Sequence, residues 1–221
     1  MSVIAVLGMS TASHATEPSS RPVSFTNDVV PILTKAGCNA GVCHAKAGGG
    51  QNGFQLSLFG FEPDEDYRYL VLEGRGRRLF PADPDRSLLL RKAIGAVPHG
   101  GGVRLDRSSE SYAMLHRWIA EGTPYHRDAD PTMVSIEVQP ARGTVPRGGE
   151  QQLKSIAHYS DGSQRDVTDL AVYGCNNRAM AEVNERGRVV AADIPGNASV
   201  MVRYQGRSLY STPPFNTGCE R

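Results

Sequence analysis

Cys38, Cys43 and His44, in the run Gly37-Cys38-Asn39-Ala40-Gly41-Val42-Cys43-His44, constrain this chain more than any other feature. Two thiols close in sequence, the second followed directly by a histidine, form the pattern that fastens a c-type haem. The thiols add across the porphyrin's two vinyl groups, and the adjacent imidazole is then placed to ligate the iron. The usual attachment signal has two residues between its cysteines; here there are four, so the loop between the thioethers is longer. The motif reads as a covalently attached haem c, with Cys38 and Cys43 as anchors and His44 as the proximal iron ligand.

A single haem needs a domain around it, and 221 residues suffice for one large or two small domains, each with a core. A net charge of +1, with 21% charged residues, gives no field that singles out nucleic acid or a charged membrane. No apolar run approaches the roughly 20 residues that cross a bilayer. The first residues, Met1 to Met9, form a short apolar run, and Ser13-His14-Ala15 resembles a signal-peptidase site, although no Lys or Arg precedes the run. Residues 1–22 are therefore expected to be a leader, and the mature chain periplasmic or at the cell surface. Export suits the motif, because c-type haem is attached outside the bacterial cytoplasm. The other cysteines, Cys175 and Cys219, are far apart and read as unrelated thiols rather than a disulfide framework.

The pattern of apolar residues changes near 127–132, a polar, proline-containing stretch that reads as a linker. Before it, residues 23–126 read as short helices joined by glycine-rich loops. Thr26 is placed to cap a helix that buries Val29, Val30, Ile32 and Leu33, is kinked at Pro31 and stops at Gly37. Further helices are expected over Pro63 to Gly74, from Asp85 through Leu90, and over Ser108 to Gly122. In the last, Tyr112, Leu115, Trp118 and Ile119 recur at helical spacing. Phe54, Leu56 and Leu58 suit a short extended segment. After the linker, residues 133–205 alternate in strands: Val134, Ile136 and Val138, then Ile156 and Tyr159 into the turn Ser160-Asp161-Gly162-Ser163, and later Val200 and Val202. Residues 206–221 lose the pattern and read as the irregular tail of a truncated chain. The expected fold class is an all-α haem domain followed by an all-β immunoglobulin-like sandwich.

Iron held by His44 needs a second axial ligand or an open position. Of six histidines, His14 lies in the leader and His158 in the strand-rich half, while His116 follows Leu115 on a helix and faces solvent. His99, in Val97-Pro98-His99-Gly100-Gly101-Gly102, is the candidate sixth ligand, because the glycines let backbone pass close to a flat ring. Met114 reads as core, and Met133 lies beside the linker. Phe54, Leu56, Leu58, Phe59, Leu79, Phe80, Leu89 and Trp118 are candidate walls, with Gly48 to Gly50 as flexible backbone beside the ring. Arg75, Arg77, Arg78 and Arg104 are candidate partners for the two propionates.

Taken in order, the motifs from Gly37-Cys38-Asn39 to His44, Gly53 to Gly60, Ser87 to Leu90, Pro98 to Gly102 and Trp118 to Gly122 resemble those of the planctomycete-type cytochrome c-like domain, over about Val23 to Tyr125. Tyr159 to Ser163, Asp166-Val167-Thr168 and Gly187 to Ala191 resemble a bacterial group 2 immunoglobulin-like domain. The resemblance implies haem binding and electron transfer, a four-residue spacer normal for the group, and a larger C-terminal domain that is missing here.

The expected function is an exported c-type cytochrome module that passes electrons to or from that missing domain or an unidentified redox partner. It is not expected to be an enzyme: two axial ligands leave no open position, and no Gly-x-Ser-x-Gly elbow, phosphate-binding Gly-Lys loop or carboxylate pair is present. An alternative is a non-haem surface-binding protein with a Cys38–Cys43 disulfide, its β-sandwich contacting polysaccharide or protein. A zinc site from Cys38, Cys43, His44 and His99 has the right ligand types but lacks a paired Cys-x-x-Cys knuckle.

Overall fold

The computed structural model describes residues 21–41, 43–126, 128–210 and 215–216. Nearly all of the expected leader, with His14, and Cys219 lie outside the described residues.

The first helical unit begins with a wide turn over Phe25–Val29, in which the Val30 N–H donates to the Phe25 carbonyl, and continues as α1, Val30–Lys35. Its cap is Ser24, whose Oγ accepts the Asn27 N–H at 3.0 Å, rather than Thr26. Pro31 does not kink α1; it sits in the first turn, where a missing N–H leaves nothing unpaired. α2, Pro63–Tyr67, runs into a second wide turn at Arg68–Leu72 and a tight one at Glu73–Gly76. α3, Leu88–Ala93, follows a turn at Pro84–Arg86. α4, Glu110–Ala120, is capped by Ser109 and buries Tyr112, Leu115, Trp118 and Ile119. These four, with Phe25, Val29, Leu33, Leu56, Leu70 and Leu90, make the core of the first half.

The second half holds eleven strands among the described residues: β1 Met133–Gln139, β2 Glu150–Gln152, β3 Lys154–Tyr159, β4 Gln164–Asp166, β5 Val172–Cys175, β6 Ala181–Val183, β7 Arg188–Ala191, β8 Asn197–Ala198, β9 Val200–Tyr204, β10 Arg207–Tyr210 and β11 Phe215–Asn216. They pair antiparallel in the orders β1-β3-β4, β10-β9-β5, β2-β7-β6 and β11-β8. β10 falls in the stretch expected to be irregular. Gln205 (φ 46°) and Gly206 (φ 70°) close a two-residue hairpin between β9 and β10, with positive φ at both central positions.

The expected fold class, an all-α domain followed by an all-β sandwich, is corrected. The chain is a mixed fold, 27% helical and 24% strand. The first half contains two isolated bridges, Ala45 with Leu56 and Gln51 with Phe54, and its helices are short because turns interrupt them. The second half forms small antiparallel sheets of two or three strands on two apolar clusters instead of two broad facing sheets on one core.

The halves also meet through buried polar contacts. Asp28, 1% exposed, accepts from Arg21 at 2.7 and 2.9 Å and from Arg165 at 2.5 Å. The Tyr204 hydroxyl donates to the Asn27 carbonyl at 3.3 Å, and Gln205 Nε2 to the Thr26 carbonyl at 3.2 Å. Lys35 Nζ donates to the Ala171 carbonyl at 2.5 Å and to that of Glu185. Among the described residues no helix is long and apolar enough to cross a membrane.

Candidate functional site

The end of α1 sets the position of the first cysteine. Gly37, at φ +77°, donates to the Thr34 carbonyl at 3.0 Å, and the Cys38 N–H reaches back to Leu33 at 2.9 Å. This pair of bonds is a Schellman stop, which packs the residue after the glycine onto the helix's last apolar turn. Cys38 accordingly lies against the first-half core, and burial pushes its thiol pKa up to about 11, against the pull of the Arg104 guanidinium. Cys38, Cys43 and Cys175 are free thiols.

His44 is strapped by its backbone. Its N–H donates to the Cys38 carbonyl at 3.0 Å and its carbonyl accepts the Leu56 N–H at 2.7 Å. The next residue after Leu56 is held by Asp66, a buried carboxylate that accepts both the Ser57 N–H and the Ser57 hydroxyl. Burial lifts the Asp66 pKa to about 6, opposed by the Ser57 hydrogen bonds and assisted by Glu62 and Glu65. The His44 ring packs 4.6 Å from that of Phe54, and its Nδ1 is buried without a partner. Burial lowers the His44 pKa, with His99, Arg78 and Lys92 adding to the effect and the Phe54 backbone opposing it. The imidazole is therefore held in its neutral, ligand-competent form.

His99 faces it from the glycine loop. The two rings are parallel within 7°, with centroids 6.2 Å apart. That separation is too wide for contact between the rings. His99 Nδ1 lies 2.9 Å from the Gly102 carbonyl. A carbonyl only accepts, so Nδ1 donates in this contact, the arrangement by which a neighbouring group orients a metal-binding imidazole. Gly101 backs the ring: a Cβ there would sit 3.0 Å from His99 Cε1 and 3.3 Å from Nε2. Gly101→Ala is expected to turn the ring and break its bond to Gly102, seen as a changed His99 tautomer ratio in ¹⁵N NMR. An unaltered ratio would show that the ring has room to spare.

All four predicted site residues, Cys38, Cys43, His44 and His99, line one cavity of about 510 Å³, within the roughly 300–1,000 Å³ of small-molecule and cofactor sites. Of the expected walls, Phe54 and Leu89 line it; Leu56, Leu58, Phe59, Leu79, Phe80 and Trp118 do not. Arg77, Arg78 and Arg104 reach it and Arg75 does not. Arg78 is already occupied, donating to the carbonyls of Tyr69, Glu73 and Gly53 at 2.6–2.8 Å and stacking over Phe54. Sequence reasoning missed Leu88, Lys92 and Ala93, which α3 brings to the cavity with Leu89; their i, i+4 spacing was the available signal. Elsewhere, Met114 packs on the core, His116 lies 3.8 Å from Asp85 and His158 3.2 Å from Glu137.

The donor set fits a flat, covalently attached ring. Two thiols and two imidazole side chains line one cavity with apolar walls and cationic side chains. It does not fit a bare metal ion: among the described residues no group of three or more His, Cys, Asp or Glu could hold one. The zinc alternative and the expectation of a metal-binding group built from side chains alone are corrected on that ground.

No family model matches the chain. It is 32% identical over 68 residues to Ice-binding protein 1 of Shewanella frigidimarina (strain NCIMB 400), a match covering 31% of this chain and 8% of that protein. Domains 5–6 of the S-layer protein SbsC superpose with a TM-score of 0.34 at 16% identity, covering 41% of this chain and 47% of that one. Domains 1–6 give 0.33 at 16% identity, covering 39% and 13%. The matching curated protein is an ice-binding protein and not a cytochrome, which corrects the expectation of cytochrome kin.

Proposed function

We propose that the cavity between the Cys38–His44 loop and the His99 loop seats one haem c, and that the chain serves as an exported electron relay. The observation that carries this reading is the convergence of Cys38, Cys43, His44 and His99 on a single cavity. Cys38 and Cys43 would hold the ring through thioether bonds, and the imidazoles of His44 and His99 would ligate its iron. When bound, the group supplies reversible one-electron exchange. The chain's own residues do the rest. Phe54, Leu88 and Leu89 exclude water, the Leu56 and Asp66 strap fixes His44, and Gly102 fixes the tautomer of His99. Arg77 and Arg104 face the carboxylates at the ring's edge. Held by both imidazoles, the group would exchange its electron with a partner or a further domain. The setting is the periplasm or the cell surface.

The test is the intact mass and absorption spectrum of chain exported from a host with haem-maturation machinery. One haem added per chain and sharp reduced bands are expected, both lost on Cys38→Ser/Cys43→Ser. A colourless wild-type product with the mass of the bare polypeptide overturns the reading.

A second reading is favoured by the 68-residue match to an ice-binding protein and by two neighbouring free thiols. On it, Cys38 and Cys43 join as a disulfide and the strand-rich half contacts polysaccharide or protein. A colourless product lacking two thiol equivalents, and retained on cell-surface polysaccharide, would select it.

A further inference from the structure

Four aromatic rings gather in and against the first-half core, and none of them lines the cavity. Phe25 is fully buried and touches the other three, with centroids 5.5 Å from Trp118, 5.2 Å from Tyr67 and 5.3 Å from Tyr125. Tyr67 and Tyr125 stack at 4.9 Å, within 29° of parallel. These are the spacings of interacting ring pairs, so the set runs unbroken from buried Trp118 to half-buried Tyr125. Backbone at 123–125 holds it together. Trp118 Nε1 donates to the Pro124 carbonyl at 3.0 Å, and the Tyr67 hydroxyl to the Thr123 carbonyl at 2.9 Å. Thr123 is buried at φ +57°, a left-handed conformation that a β-branched residue keeps only where its surroundings impose it. The third polar group ends differently: the Tyr125 hydroxyl donates to the Asp64 carboxylate. An indole or phenol that loses an electron becomes a much stronger acid. A carbonyl takes no proton, whereas a carboxylate within hydrogen-bond reach does. Tyr125 can therefore lose an electron and a proton together, which the carbonyls beside Trp118 and Tyr67 do not allow.

We propose that Tyr125 and Asp64 form a redox-active site, at which an oxidising equivalent entering the aromatic set comes to rest as a neutral tyrosyl radical. The substrate class is a one-electron oxidising radical, and the site stands independently of the haem reading. Once such an oxidant has taken an electron from Trp118, an electron passes from Tyr125 to the indole radical cation, and the Tyr125 hydroxyl proton passes to Asp64. Trp118 is restored, while a Tyr125 radical and a protonated Asp64 remain, so atoms and charge balance. Electron tunnelling falls off exponentially with distance, so rings in contact carry this transfer faster than separated ones. A small reductant of the enediol class then returns an electron to half-buried Tyr125, and Asp64 returns the proton. Tyr112 also has a carboxylate partner, Asp85 at 2.5 Å, but its ring pairs with His116 and not with any of the four. That pair is the competing outlet.

The test follows a single radical. The full chain as exported, with any haem kept ferric, is frozen and irradiated at the red edge of the indole band, where phenols absorb little. The electron then leaves Trp118, the only tryptophan. Electron paramagnetic resonance tracks the radical as the sample is warmed. The tryptophan signal is expected to give way to a tyrosyl one, identified by its narrowing on ring-deuterated tyrosine. That conversion is expected to be lost in Tyr125→Phe and kept in Tyr112→Phe. It should be slowed in heavy water and in Asp64→Asn, whose amide still accepts a hydrogen bond but takes no proton. Near-ultraviolet circular dichroism reports whether each variant keeps the ring set, and the heavy-water arm needs no variant. A radical that stays on Trp118 in the wild type overturns the inference, as does a conversion that heavy water leaves unchanged. A tyrosyl signal that outlasts Tyr125→Phe and vanishes in Tyr112→Phe also overturns it, in favour of the Tyr112–Asp85 pair. The colour of the product bears on the haem reading alone.

Discussion

Asp28→Ala is expected to lose about 3–5 kcal/mol of stability, the usual result of removing one member of a buried ion pair and stranding its partner. Asp28 is buried at the junction of the halves, between Arg21 and Arg165, and also accepts the Ser24 N–H at 2.9 Å. Burial alone would raise its pKa, but the Arg21 hydrogen bonds and the charges of Arg165 and Arg21 outweigh it and hold the carboxyl below its ordinary value. The sign follows from linkage. A folded-state pKa below the unfolded one gives stability that is present above the unfolded value, about 3.9, and fades as pH falls through the folded value. Urea titrations of wild type and Asp28→Ala should therefore converge in acid and separate toward neutrality. A difference below about 1 kcal/mol at pH 7 would mean that the arginines find water readily and that the junction is not held by this carboxylate.

Trp118→Ala is expected to lose about as much, 3–5 kcal/mol, by a different mechanism. The indole is fully buried, packs against Phe25 with ring centroids 5.5 Å apart, and donates to the Pro124 carbonyl at 3.0 Å. Truncation leaves a cavity in the middle of the first-half core and an unpaired carbonyl at its edge. Trp118→Phe should recover most of the packing but not the hydrogen bond, and fall between. Trp118 is the only tryptophan, so unfolding is followed by circular dichroism. An alanine variant within about 1 kcal/mol of wild type would show that the surrounding helices collapse into the space.

Short-range order was the legible portion of this sequence. α4 was readable because Tyr112, Leu115, Trp118 and Ile119 repeat at helical spacing on one face, and the helix forms with those four buried. The first helix was readable in place but not in detail. Either Ser24 or Thr26 has the chemistry to cap it, and only the wide first turn brings Ser24 into reach of Asn27. The sequence motifs single out Cys38, Cys43, His44 and His99 as candidate donors, and the fold brings all four to one cavity. The cavity's support was not legible. Arg78 looks like the arginines around it, and only the tertiary fold reveals that three carbonyls occupy it. The same holds for Trp118, which an apolar motif makes a candidate wall and the fold places in the core. The fold class failed for a related reason. Periodicity reports which face of an element is apolar, whereas strand pairing joins residues as distant as Glu150 and Val190, and the Asp28–Arg165 junction spans 137 positions.

That junction has a temporal side during synthesis. Asp28 and Arg165 are separated by 137 residues and Asn27 and Tyr204 by 177. At about 5–20 residues per second, a ribosome delivers Arg165 roughly 7–27 s after Asp28. Over that interval the carboxylate has only Arg21 and the Ser24 amide for company, and the helix it anchors has no strand to rest on. The nascent segment bearing both cysteines is thus laid down well before the strands that brace it.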